Sequence, residues 1–216
     1  MTQSLVWSPE KVHKRMVLEM DSNIQLMLYL VPTLIGFFLV LPTGKILANP
    51  LSQRFPSIAT ERGRLFFGLI LTGIAGFAVS IQTLWISSKV SEGGNFCASN
   101  TVFSCDDVIG NANYNVDPFF GLPWGGIGAT AFCVFLYLAY SSSLEPNSEW
   151  VDNYLKLGTA LTFGGFFVIA LLISYELEME KICQYCTTAH IANVAAFVGF
   201  YRLMKLNESG EWNQDS

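Results

Sequence analysis

Charge is what this chain has least of. Asp, Glu, Lys and Arg make up 13% of its 216 residues, roughly half of the ~25% carried by ordinary soluble domains, while 51% are apolar and the mean hydropathy is +0.40. A chain so poor in charge argues against a soluble fold. Basic residues are scarcer still: the net charge is −5, and no basic run extends beyond the scattered Lys11, Lys14 and Arg15. There is no stripe of cations to neutralise a phosphate backbone, so nucleic acid is not an expected partner. Cysteine is limited to Cys97, Cys105, Cys133, Cys183 and Cys186, in a chain too apolar to need disulfides in place of a core. Internal repeats and low-complexity segments are absent. Residues 1–21 are polar and mixed in charge, unlike a secretory signal, and are expected to stay attached.

The few charges leave long stretches free of them: residues 22–44, 65–88, 118–144, 157–175 and 182–201. Each approaches the ~20 residues with which an α-helix crosses ~30 Å of hydrocarbon at ~1.5 Å per residue. The expected fold is therefore an all-α polytopic membrane protein with its bulk in the lipid bilayer. Pro32 lies within the first stretch and predicts a kinked span. Thr72, Gly76 and Ser80 recur every four residues in the second, a small-residue stripe suited to close helix packing.

Basic residues near span ends set orientation. Lys45, Arg54, Arg62 and Arg64 precede the second stretch, and Arg202 and Lys205 follow the last. These ends are expected on the cytoplasmic side, which puts the acidic loop carrying Cys97 and Cys105 outside. Five spans then place the N-terminus outside, against the preference of Lys11, Lys14 and Arg15. Either the first span is weakly oriented, or residues 9–20 form a short interfacial helix.

Four cysteines sit at the margins of apolar stretches. Cys183-Gln184-Tyr185-Cys186 opens the last of them, where unpaired amides and the positive end of a helix dipole stabilise a thiolate, the reactive form. A C-x-x-C taken alone is shared by redox pairs and zinc half-sites. At ~100° per residue, Cys183, Cys186, His190 and Asn193 fall on one face, a polar stripe descending into the membrane. Cys97 and Cys105 are separated by seven residues, a poor spacing for a zinc knuckle, so no metal site is expected. Two pairs on one side of a membrane suggest a relay by thiol–disulfide exchange. Cys133 ends a four-residue repeat of Gly121, Gly125 and Ala129 and is assigned to helix packing. Glu176, Glu178 and Glu180 read as a solvated run.

A C-x7-C pair after one span, two further spans, and then C-x-x-C-T-T opening the last span resembles the vitamin K epoxide reductase family over residues 64–206. That resemblance implies a four-helix bundle around a quinone, here with one additional N-terminal transmembrane helix. The chain then divides into a polar segment (1–21), the extra helix and a cytoplasmic linker (22–63), the four-helix domain (64–206) and a tail (207–216). The resemblance further implies a membrane thiol oxidoreductase, multi-pass in the cell membrane, with its cysteines on the extracytoplasmic side. Cys97 would exchange with a thioredoxin-like dithiol protein, Cys105 would pass electrons to Cys183, and Cys186 would lie beside a quinone of ubiquinone or menaquinone type from the membrane pool.

Asn193 matches a family asparagine, and His190 stands where the vertebrate enzymes have tyrosine. Asn111 is expected to replace a family serine or threonine beyond the second loop cysteine. Phe119, Phe120, Trp124 and Tyr185 are candidate walls for the ring, the first three equally suited to anchoring at the interface. Two alternatives remain: a quinone-epoxide reductase of an endomembrane, and a non-enzymatic, metal-binding or disulfide-stapled interaction protein.

Overall fold

The computed structural model describes residues 9–93, 102–111, 113–210 and 212. Long helices dominate it: α1 (Pro9–Val40), α3 (Glu61–Ser91), α5 (Trp124–Leu144), α6 (Val151–Glu178) and α7 (Gln184–Glu208), with short helices α2 (Gly44–Ser52) and α4 (Cys105–Ile109) between them. Among the described residues the extended pairings are isolated bridges, Phe103 with Ile182 and Val116 with Pro123. The chain is all-helical and polytopic.

The 23–40 part of α1, together with α3, α5 and α6, is long and apolar enough to cross a membrane. Helix α7, over the last of the five charge-free stretches, is long enough but less apolar than these four. The reason is its position: α7 packs against α1, α3 and α6, so much of its surface meets protein rather than lipid. Polar residues are tolerated where a helix faces a bundle interior.

Small residues set the helix crossings. A Cβ on Gly36 of α1 would stand 2.1 Å from Thr72 Oγ1 of α3, and one on Gly76 of α3 would stand 2.4 Å from the Phe132 ring of α5. The Thr72–Gly76–Ser80 stripe thus lies in the contacts of α3 with its neighbours. The main core joins Val40, Leu65, Leu69, Phe135, Leu155 and Phe200 from the five long helices.

Helix α1 differs from expectation at its N-terminal end. Residues 9–20 form no separate interfacial helix but continue into the span, since no Pro or Gly interrupts residues 10–31. The helix also runs through Pro32, and the Thr33 hydroxyl donates to Tyr29 O at 2.7 Å one turn back. Although α1 precedes the resembling segment, it is built into the bundle: Val40 joins the main core, and Leu26 joins the cluster around Cys183. The linker after it is also ordered, with Ala48 of α2 and Ile58 of the 3-10 turn Pro56–Ala59 packing on Leu39. At the other terminus Trp212 is buried against Phe66, and its Nε1 donates to Pro146 O at 2.8 Å.

Candidate active site

Two segments distant in sequence meet at the end of the bundle where α7 begins. The Phe103–Ile182 bridge is completed by Ser104 N donating to Ile182 O at 3.2 Å and Ile182 N donating to Val102 O at 2.9 Å. This pairing holds the start of α4 beside the start of α7. Ser104 caps α4, its hydroxyl accepting from Asp107 N at 3.3 Å, and Cys105 follows as the first helical residue. Cys183 is itself the N-cap of α7, its Sγ accepting from Cys186 N at 3.2 Å. A sulfur therefore takes an amide that the first helical turn leaves unpaired, while burial, the stronger influence, pushes the Cys183 thiol up.

Three sulfurs form a line. The side chains of Cys105 and Cys183 are hydrogen-bonded, and Cys183 Sγ lies 2.6 Å from Cys186 Sγ. Cys105 and Cys183 are buried among Val79, Ile86, Ile109 and Tyr185, whereas Cys186 is half-buried. Cys97 lies outside the described residues.

Cys186 opens onto an apolar cavity of about 290 Å³ enclosed by α3, α5, α6 and α7. His190 and Asn193 line it from the same helix, Phe132 and Trp124 from α5, and Ser80 from α3. Asn193 is held in place, Nδ2 donating to Thr162 O at 3.1 Å, and Gly165 makes room for it: a Cβ there would stand 2.5 Å from Asn193 Oδ1. His190 Nε2 is shielded from solvent and has no hydrogen-bond partner among the described residues. An unmatched buried nitrogen in a largely apolar cavity fits a flat ring bearing a carbonyl oxygen. His190 and Ile169 also line a larger cavity, about 830 Å³, between α1, α6 and α7.

Four other residues expected at the quinone lie elsewhere. Phe119 and Phe120 are 85% and 82% exposed at a loop tip, because the Asp117 carboxylate gathers the amides of Phe119, Phe120 and Leu122 at 2.8–2.9 Å and turns the chain outward. Burial opposes the charged form of Asp117, but these three backbone donors prevail and hold its carboxyl below the usual range. Tyr185 is buried on the other side of α7, edge-on to Tyr29 at 6.3 Å. Asn111 is engaged in its own loop, Oδ1 accepting from Asn113 N at 3.0 Å and Nδ2 reaching Met179 Sδ at 3.7 Å.

Two readings are corrected by burial. Glu176 is not part of a solvated run: it is 9% exposed, and its Oε1 accepts from Cys183 N at 3.1 Å. A reversal through Glu180, at φ 53°, folds the chain back so that Cys183 returns over the end of α6. Donor atoms of Glu176, Cys183 and Cys186 consequently lie within 4.8 Å of one another, one fewer than the four ligands of a structural zinc site. Nothing in the sequence separates Glu176 from Glu178 and Glu180; the reversal at Glu180 does.

Cys133, assigned to packing, is exposed on α5. The α3 contact instead follows Gly125, Phe132 and Leu136. A four-residue step overshoots the helical repeat by ~40°, so the stripe drifts off the contact face by its last member, Cys133. Gly121 precedes α5 in a turn at φ 67°.

No curated protein and no solved structure matches the chain. Residues 67–200, which hold the cavity and the cysteine line from Cys105 to Cys186, match the model of the vitamin K epoxide reductase family. The chain is a member of that family, a multi-pass membrane oxidoreductase of quinone-related redox chemistry.

Proposed function

We propose that the protein is a membrane thiol oxidase that withdraws two electrons from a reduced, extracytoplasmic thioredoxin-like protein and delivers them to a membrane quinone. The observation that carries this reading is the line of sulfurs from Cys105 through Cys183 to Cys186, ending at an apolar cavity. In the first exchange a partner thiolate attacks the Cys97–Cys105 disulfide, and a second partner thiol resolves the mixed disulfide. The partner leaves oxidised and both loop cysteines are reduced. The Cys105 thiolate then attacks Cys183 of an oxidised Cys183–Cys186 pair, releasing Cys186 as thiolate. Cys97 closes on Cys105 and frees Cys183, so the electron pair has moved one disulfide inward.

A bound quinone supplies the final acceptor of two electrons and two protons. Cys186 faces that acceptor, His190 offers Nε2 to its carbonyl oxygen, and the fixed amide of Asn193 positions it. The apolar lining excludes water from the reacting sulfur. Ubiquinone or menaquinone types satisfy this chemistry equally.

The test is turnover of purified protein with a reduced thioredoxin-like substrate and quinone. Wild-type protein should consume thiols and quinone in equal two-electron amounts, and Cys186→Ala should lose quinone reduction altogether. Retained turnover in that variant would overturn the assignment. In a Cys105→Ala variant the Cys97 thiol should attack the disulfide of the oxidised thioredoxin-like protein and remain joined to it as a mixed disulfide, since the resolving Cys105 is gone, and labelling of Cys97 in intact cells should report its extracytoplasmic side.

A further inference from the structure

At the end of the bundle away from the cysteines, α1 stops under two arginines. Arg64 Nη1 donates to Leu39 O and, at 2.8 Å, to Leu41 O, while Arg202 Nη1 donates to Val40 O at 2.6 Å. These cations donate to the last two carbonyls of α1 and to Leu41 O, which also accepts from Gly44 N at 3.0 Å, and oppose the negative dipole end of the helix. Capping accounts for one nitrogen of Arg64. Its side chain is 1% exposed, yet Nε and Nη2 have no hydrogen-bond acceptor among the described residues. Nη2 stands 3.6 Å from Glu61 Oε1, an ion pair beyond hydrogen-bonding length.

Arg64 lines a polar cavity of about 190 Å³ whose other walls include Lys45, Asn49, Ser52 and Glu61. Glu61 is the carboxylate that pairs with Lys45, at 3.2 Å, and with both Arg64 and Arg202. Among the described residues three cations therefore share this one carboxylate, and positive charge is in local excess there. A buried guanidinium with unmatched donors is costly unless an acceptor completes it. The cavity is small beside the ~300–1,000 Å³ of organic-ligand pockets, and Asn49 and Ser52 add neutral polar side chains to its wall. Ile46 is 77% exposed and Phe55 43% exposed on the same connection, apolar side chains of the kind that enter a headgroup layer.

We propose that this cavity binds a phosphate group, Arg64 and Lys45 providing the cationic contacts, and that an acidic phospholipid headgroup supplies it. Basic pockets beside membrane helices suit such headgroups, and guanidinium donors pair with phosphate through charge-assisted hydrogen bonds. All the residues invoked except Arg202 precede the family-matching segment, so the site belongs to the N-terminal part of this chain. Its occupancy would tie α1, α2 and α3 together without touching the cysteines.

The test uses the full chain in detergent, titrated separately with phosphatidylglycerol, phosphatidylcholine and inorganic phosphate, and followed by thermal midpoint and native mass spectrometry. Phosphatidylglycerol should bind and raise the midpoint, and phosphatidylcholine should not. Lys45→Glu reverses a side chain that is 69% exposed, so the lipid-free protein should remain folded. Its phosphatidylglycerol affinity should fall about tenfold or more, the scale of a charge-assisted contact. Lys205→Glu makes the same charge change on α7, outside the cavity, and should retain wild-type affinity.

A midpoint rise with inorganic phosphate that Lys45→Glu abolishes, without any response to phosphatidylglycerol, would identify the phosphate site and overturn its lipid source. Equal responses to the two lipids with none to phosphate, or full phosphatidylglycerol affinity in Lys45→Glu, would overturn the site itself.

Discussion

Cys183 N donates to Glu176 Oε1 at 3.1 Å, fastening the cysteine pair to the last turn of α6 through a buried carboxylate. Removing the acceptor leaves a buried amide without a partner, at a cost of about 1–3 kcal/mol. Glu176→Ala should therefore lose that much stability, read from denaturant unfolding in detergent. Glu176→Gln keeps an oxygen at the same place and should recover most of the loss. Equal destabilisation by the two variants would show that the charge matters more than the hydrogen bond.

Gly165 controls the cavity from α6, because a Cβ there would stand 2.5 Å from Asn193 Oδ1. Asn193 cannot yield freely while its Nδ2 donates to Thr162 O at 3.1 Å. Gly165→Ala should displace the amide and raise the quinone KM about fivefold, the equivalent of one hydrogen bond of about 1 kcal/mol. Asn193→Ala should have a similar effect, and the double variant should be little worse than either. Full additivity of the two losses would place them on independent routes.

The cysteine pair at the start of α7 was legible because its cause is local: a C-x-x-C at a helix start takes up unpaired amides wherever it occurs. Its meeting with Cys105 depends on the Phe103–Ile182 bridge, a pairing across nearly eighty residues for which no local pattern exists. The burial of Glu176 is hidden from the sequence for the same reason. Three glutamates at alternate positions look equivalent until the reversal at Glu180 covers one of them. His190 and Asn193 were found by helical periodicity on the helix that carries Cys186, and both line its cavity. Aromatic content was a weaker guide, because the backbone turn around Asp117, rather than hydrophobicity, decides that Phe119 and Phe120 face outward.

Cys133 shows what the difference between four and 3.6 residues per step means for mutation. It is exposed on α5 beside the contact face, so Cys133→Ala should leave turnover unchanged and stability within about 0.5 kcal/mol. A more demanding variant is Cys133→Phe. A packed thiol replaced by a ring would be overfilled at a cost of about 1–3 kcal/mol, whereas an outward-facing position should tolerate the ring. Destabilisation of that size would return Cys133 to a helix interface.

Asp117 makes the adjoining loop sensitive to acid. Its folded carboxyl titrates below the ordinary value, near 4 in unstructured peptides, because three amides favour the charged form over the opposing effect of burial. A group with a depressed folded pKa contributes stability that is fully present above its unfolded pKa and is lost as the pH falls through the folded one. Hydrogen exchange at the amides of Phe119, Phe120 and Leu122 should therefore stay slow, relative to intrinsic rates, down to about pH 4 and accelerate below it. Asp117→Asn keeps one acceptor oxygen and no titrating group. In that variant the same amides should exchange faster at neutral pH and show no further acid-linked step. An acid step that survived in Asp117→Asn would assign the transition to another carboxylate.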